Sequence, residues 1–460
     1  MSTPSLAAHP LAERFPAGFA WGAATAAYQI EGSATADGRG PSVWDTFSHT
    51  PGKVVGGDTG DVACDHYRRW ESDLDLMVEL GLRAYRFSIA WPRIQPTGTG
   101  RPNVAGLDFY DRLVDGLLER GIEPWVTLYH WDLPQPLEDA GGWTDPGIVD
   151  RFGEYAAIVA ERLGDRVPRW ITLNELRTHA FIGYGTGRHA PGRTGWGTAL
   201  RAAHHELLGH GAAVRAIRAA SPETKVGVCH DVAHVVPASS DPDDVAATAR
   251  FDAAIHDWFI GPTFGRGYPS ELVEWYDAHG FLAGVDPSVM TTAEPIDFLA
   301  LNYYRPERIR AEPVRDTWGM GAAGLEGVGE LAGNGWEILP EGLHATLRAV
   351  NDRYAPPEIA ITENGATFPD EIGPDGSVDD PARRSYLERH LSAAADAIED
   401  GVPLIGYFAW SLLDNFEWAL GYGTRFGIVY VDYSTQRRIV KASGRWYQEL
   451  LGASGTRART

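Results

Sequence analysis

Eight short apolar runs, each closing on polar or aromatic residues, constrain this chain more than any other feature. They occupy residues 19–25 (FAWGAAT), 84–90 (AYRFSIA), 123–129 (EPWVTLY), 169–174 (RWITLN), 225–231 (KVGVCHD), 297–304 (DFLALNYY), 358–364 (EIAITEN) and 404–412 (LIGYFAWSL). Short, β-rich apolar runs bounded by Gly or Pro read as parallel strands buried on both faces. Between them lie amphipathic stretches, and those at 73–81, 108–121 and 150–164 each close on a Gly suited to a helix C-terminus. Eight strands alternating with helices predict an α/β chain, a single (β/α)8 TIM barrel. The reading divides the chain into an N-terminal extension at 1–14, a catalytic barrel at 15–447 and a C-terminal tail at 448–460. Residues 305–340 and 366–384 read as long loops. In a barrel, loops after the sixth and seventh strands lie over the C-terminal face and shape access to it.

Charge and composition exclude whole classes of partner. A formal charge of −22 repels nucleic-acid phosphates and disfavours anionic membranes. No uninterrupted apolar stretch reaches the ~18 residues of a membrane span. The N-terminal sequence MSTPSLAAHPLAERFPAGF has no basic start followed by an apolar run, so no secretory leader is expected. Cys64 and Cys229 fit neither a disulfide framework nor a zinc spacing, and a cytoplasmic protein is expected. Aromatic residues make up 11% of the chain, with 16 Trp, and Trp beyond core needs often lines sites for sugar rings.

Three motifs invite a cofactor reading and fail it. In AHHELLGH, His205 and His210 are five residues apart, whereas two zinc ligands on one helix face need a spacing of four. GYGTG at 183–187 reads as a Gly-rich loop without the rest of a dinucleotide fingerprint. GGDTG at 56–60 reads as a turn with no phosphate-binding lysine after it. No metal and no organic cofactor is expected.

Two glutamates stand out by position. Glu175 follows the fourth run and Glu363 lies within the seventh, each next to Asn at the C-terminal end of an expected barrel strand. Taken singly, such residues are more often plain loop residues. Together, on strands 4 and 7 of one barrel, they face each other across the axis. Glycosidic cleavage needs such a pair, one carboxylic acid to protonate the leaving oxygen and one carboxylate to attack the anomeric carbon.

Seven segments in order resemble glycoside hydrolase family 1 β-glucosidases. They are FAWGAATAAYQIEG (19–32), YRFSIAWPRI (85–94), LYHWDLPQ (128–135), TLNE (172–175), LNYY (301–304), ITENG (361–365) and WSLLDNFEWALGYGTRFGIVYVDY (410–433). The resemblance implies that Glu363 is the nucleophile and Glu175 the acid/base. It implies that Gln29, His130, Asn174, Tyr304, Glu417 and Trp418 bind the sugar and that Trp410 is the platform beneath it. Arg86, Asn302 and Tyr304 match residues that hold and tune the nucleophile, and Trp336 and Phe426 match the aglycone side. Electrostatics supports these roles. Arg86 is expected to keep Glu363 ionised, and the Glu363 charge to raise Glu175 so that it starts protonated. Asn174 is expected to donate to the sugar 2-hydroxyl.

Two departures qualify the resemblance. Leu176 stands where the family has Pro after the acid/base, which is expected to alter loop rigidity without loss of catalysis. His230 and Asp231 stand in the turn expected after strand 5, where the family has Asn, and they leave the aglycone side open. The activity implied is that of a retaining β-D-glucosidase acting on terminal β-glucosyl groups of small glucosides such as cellobiose. It extends to β-galactosides, β-fucosides and transglycosylation. The rival readings are a non-catalytic sugar-binding barrel, which the intact Glu175 and Glu363 disfavour, and a metal-dependent barrel isomerase.

Overall fold

The structure, a computed structural model, describes residues 9–291, 294–313 and 319–455. Strands β1 (Ala20–Ala24), β2 (Ala84–Ser88), β3 (Glu123–Tyr129), β4 (Arg169–Asn174), β5 (Lys225–Pro237) and β6 (Phe298–Ala311) pair in parallel, each with the next. A short strand β7 (Ala322–Gly324) runs antiparallel along the far end of β6. Strands β8 (Ile359–Asn364) and β9 (Leu404–Trp410) continue the parallel ring, and β9 returns to β1. The sheet is therefore a closed eight-stranded parallel barrel, the architecture expected from the alternating runs. A two-stranded hairpin, β10 (Val429–Asp432) with β11 (Arg437–Val440), follows the barrel.

Helices α1 (His66–Glu79), α2 (Val104–Glu119), α3 (Ile148–Leu163), α4 (Trp196–Ala220), α5 (Pro242–Asp252), α6 (Pro340–Tyr354) and α7 (Pro381–Glu399) lie between successive barrel strands. The first three start earlier than the sequence pattern implied. Gly81 and Gly121 take left-handed φ after α1 and α2, as helix-ending glycines do, but Gly164 stays right-handed at φ −66. Helix α8 (Ala442–Gly455) runs through residues 448–455, so the part of the expected tail that is described is helical; Leu450 and Leu451 on it are buried. The rest of the tail, from 456, and residues 1–8 of the expected extension lie outside the described residues. Among the described residues no helix is long and apolar enough to cross a membrane.

The interior is filled across the barrel. Trp125 on β3 packs against Phe298 on β6 and Phe408 on β9, with ring centroids at 5.3 and 4.8 Å. These strands are not neighbours, so the three rings meet inside the barrel. Toward the C-terminal ends of the strands the buried set changes to Arg86, Thr127, Asn174, Asn302, Thr362 and Glu363. An apolar plug below and a polar floor above is what places a reactive site at that end.

Three expectations need correction. The turn expected after the fifth strand, at 228–240, is strand as far as Pro237, and the loop expected from 305 is strand as far as Ala311. β5 and β6 pair with each other beyond the ring as far as Pro237 and Ile309, satisfying each other's backbone groups past the barrel rim. Residues 314–318 of that expected loop lie outside the described residues. GYGTG is not a loop: it falls largely in a π-helical stretch, His179–Thr186. A Cβ on Gly183 would lie 2.5 Å from the Ala190 carbonyl oxygen, so the glycine permits close packing there. His205 and His210 are buried on α4, bonded to the Trp143 carbonyl and the Thr172 hydroxyl, each at 2.8 Å.

Candidate active site

Strand geometry delivers the two glutamates to one place. Glu363 is the penultimate residue of β8, in register with Asn302 of β6. Glu175 is the residue after β4; its backbone turns left-handed, with φ +50, while its N–H still reaches the Cys229 carbonyl of β5 at 2.9 Å. Both side chains are more than nine-tenths buried.

A buried arginine ties the floor together. Arg86 on β2 donates from Nη1 to Glu363 Oε1 at 2.5 Å, from Nη2 to Asn174 Oδ1 at 2.5 Å and from Nε to Thr127 Oγ1 at 3.1 Å. Tyr304 donates from its hydroxyl to the other Glu363 oxygen at 2.5 Å. Asn302, expected to tune Glu363, gives a 2.7 Å hydrogen bond to Glu175 Oε1 and a 3.2 Å bond to Asn174 Oδ1, though it also helps the Glu363 carboxylate. Asn174 carries its amide nitrogen 2.9 Å from His130 Nε2, a bond that uses one of its two N–H donors and leaves the second for a sugar hydroxyl. That bond makes Nε2 the acceptor and leaves the His130 proton on Nδ1, an atom with no partner. Burial holds His130 well below its ordinary range, so the ring is neutral.

The carboxyls are unequal. Burial raises both, but Glu175 is pushed well above the usual carboxylate range, by burial, then by Asp231 and Glu363. Glu363 is raised too, against the expectation that Arg86 would dominate; desolvation outweighs the opposing pull of Arg86 and Tyr304. The cation and the phenol beside Glu363 put the shared negative charge there and the proton on Glu175. Two carboxyls split in this way can act as an acid and a nucleophile on one substrate.

The other expected residues surround this pair. Gln29 donates from Nε2 to the Phe416 carbonyl at 2.9 Å, to Asn415 Oδ1 at 3.0 Å and to Glu417 Oε2 at 3.4 Å, and its own Oε1 is left without a partner. Burial, then the Glu363 charge, push Glu417 up to about 8. The His130 ring lies nearly parallel to Trp410 and Trp418, with centroids at 6.0 and 5.9 Å. Tyr304 touches Trp336 and Phe426 edgewise at 5.5 and 6.0 Å, which brings the two rim residues together above Glu363. Beyond the residues expected from the sequence, Trp44 and Trp131 brace Trp418 at 4.5 and 4.7 Å, and Arg177 pairs with Asp231. Trp131 stood inside the YHWD motif next to His130, a signal available in the sequence; the Arg177 partner was not.

Comparison with known proteins agrees with this geometry. Residues 11–456 match the family described as Glycosyl hydrolase family 1. The curated beta-glucosidase A of Thermotoga maritima is 48% identical, over 96% of this chain and 99% of that protein. A bifunctional beta-D-glucosidase/beta-D-fucosidase of Bifidobacterium breve is 45% identical, again over 96% of this chain and 99% of its own length. The solved beta-glucosidase from Thermotoga maritima in complex with glucoimidazole superposes with a TM-score of 0.91 at 48% identity, covering 96% of this chain and 99% of that one. With its family matched from end to end and its fold shared with solved members, the chain belongs to glycosyl hydrolase family 1.

Proposed function

We propose that the protein is a retaining β-D-glucosidase, with Glu363 as nucleophile and Glu175 as acid and then base. The observation that carries this reading is the unequal pair: Glu363 held by Arg86 and Tyr304, Glu175 raised further and free of a cationic hydrogen-bond partner. In the first step Glu363 attacks the anomeric carbon while Glu175 protonates the departing oxygen. Esterification removes the Glu363 charge, Glu175 becomes more acidic, and it then takes a proton from the incoming water. Gln29, His130, Asn174, Glu417 and Trp418 hold the sugar hydroxyls, Trp410 lies beneath the ring, and Trp336 and Phe426 flank the leaving group. Relatives named for glucosidase and 1,4-beta-D-glucan glucohydrolase activities support a gluco-configured sugar, cellobiose among the substrates, and one named for beta-D-fucosidase as well supports tolerance at both C4 and C6. β-Galactosides and transfer to an alcohol acceptor follow from the same site. Two buried, unbridged cysteines favour a reducing, cytoplasmic setting.

NMR of the first product from an aryl β-glucoside tests the reading. β-Glucose should appear first and mutarotate later. Initial α-glucose, or no turnover, would overturn it.

A further inference from the structure

One buried charged pair next to Glu175 has no part in the chemistry above. Arg177 lies in the one-turn helix Leu176–Thr178 that follows Glu175, and its Nη2 donates to Asp231 Oδ2. Thr178 Oγ1 donates to the same oxygen at 2.8 Å. The Arg177 and Asp231 side chains are 13% and 7% exposed. Asp231 follows Cys229 by two residues on β5, so both side chains leave the same face of the strand. The Cys229 thiol points into the barrel, 3.2 Å from Asn302 Oδ1. Asp231 is itself the register partner of Asn302, the residue whose amide holds Glu175. The Asp231 carboxylate thus stands opposite the residue that holds Glu175, clamped by the residues two and three places after Glu175 in the chain.

We propose that Asp231, held by Arg177 and Thr178, is a positioning residue that keeps the proton on Glu175 and sets the alkaline limit of the reaction. The inference rests on Glu175 being the acid/base. A like charge beside a carboxyl disfavours its ionised form. The other groups facing Glu175 are Glu363 from β8, Arg86 from β2, Tyr304 from β6, Cys229 from β5 and Arg177. Arg86 is committed to Glu363 and Asn174, and Arg177 to Asp231. Burial lifts the Tyr304 phenol and the Cys229 thiol far above neutrality, so neither carries charge. Beside Asp231, burial lowers His230 to about 4, leaving it neutral, and Glu307 faces Arg177 rather than Glu175. Asp231 acts on Glu175 more strongly than Glu363 does, and Arg177 offsets it only in part. The role has a second half. The Glu363 charge vanishes in the glycosyl-enzyme, whereas Asp231 stays, so Glu175 remains a basic enough carboxylate to accept a proton from water.

The test is the pH profile of kcat/KM with cellobiose for Asp231→Asn, Asp231→Glu and the double variant Asp231→Asn/Arg177→Gln. The double variant leaves no unpaired buried charge, which guards against loss of folding. The alkaline limb should fall by ~1 unit or more in Asp231→Asn, the order of shift that a neighbouring like charge gives a carboxyl. It should fall by less in the double variant, because Arg177 no longer acts unopposed, and Asp231→Glu should return it toward the parent. The acid limb, governed by Glu363, should not move. An alkaline limb in the double variant that coincides with the parent's overturns the proposal. Glu175→Gln separates the two readings. If it keeps the alkaline limb, the acid/base assignment itself fails; if it loses the limb while the double variant stays unmoved, only the role of Asp231 fails.

Discussion

Glu363 accepts from Arg86 and Tyr304 at once, so its removal empties the centre of the polar floor. Glu363→Ala is expected to cost several orders of magnitude in kcat, since covalent catalysis has no substitute at that position. Azide should restore turnover of an activated aryl glucoside and give the α-glucosyl azide, detectable by NMR; unaided activity near the parent level would reject the role. For Glu175 the sign follows from its raised pKa: the acid form works below that pKa and activity falls as pH rises through it. Glu175→Ala should therefore lose the alkaline limb and slow cellobiose far more than a dinitrophenyl glucoside, whose leaving group needs little acid. Equal slowing of both substrates would point to another acid. Both glutamates were legible in the sequence because each stands beside Asn at the C-terminal end of an apolar run. The direction of the Asn174 amide and the Arg177–Asp231 pair were not, because they depend on which side chains the β4–β5 register brings together.

At the scale of elements, the apolar runs predicted β3 and β4 to the residue, since Pro168 and the turn signals around them bound the runs sharply. They undershot β5 and β6, whose outer halves are mixed in polarity and are strands only because they pair with each other. The same register logic governs the join between β8 and β9. A Cβ on Gly365 would lie 1.8 Å from the Trp410 carbonyl oxygen, a backbone atom that cannot swing aside. Gly365→Ala should push the ends of β8 and β9 apart, moving Glu363 and Trp410 together. The expected result is a loss of ~1–3 kcal/mol in stability, typical of overpacking, with kcat/KM down at least tenfold. Unchanged melting and kinetics would show that the two strand ends have slack that the packing denies.

For the molecule as a whole, several carboxyls are buried in a state that favours the proton. Burial pushes Asp132 and Glu417 up to about 8 and raises Glu175 and Glu206 well above the ordinary range. Below the ordinary histidine pKa their effect on stability is opposed by buried histidines such as His130, His179, His210 and His390, which burial holds below their usual range; above it, up to about 8, the raised carboxyls keep protons that the unfolded chain has lost, so stability falls as pH rises through that upper window. Tm should decline from pH 7 to 8, and Glu417→Gln should flatten part of that decline; an unaltered slope would place Glu417 in water. The barrel itself was readable from eight recurring runs, but its closure adds something no run contains. A ring of strands has no loose end from which to fray, and the reactive groups sit on β2, β4, β6 and β8, around its circumference. Local opening of the site would have to break the hoop. Amide protons of β4 and β8 should therefore exchange with deuterium only through global unfolding, and on heating, residual activity and the melting curve should fall together.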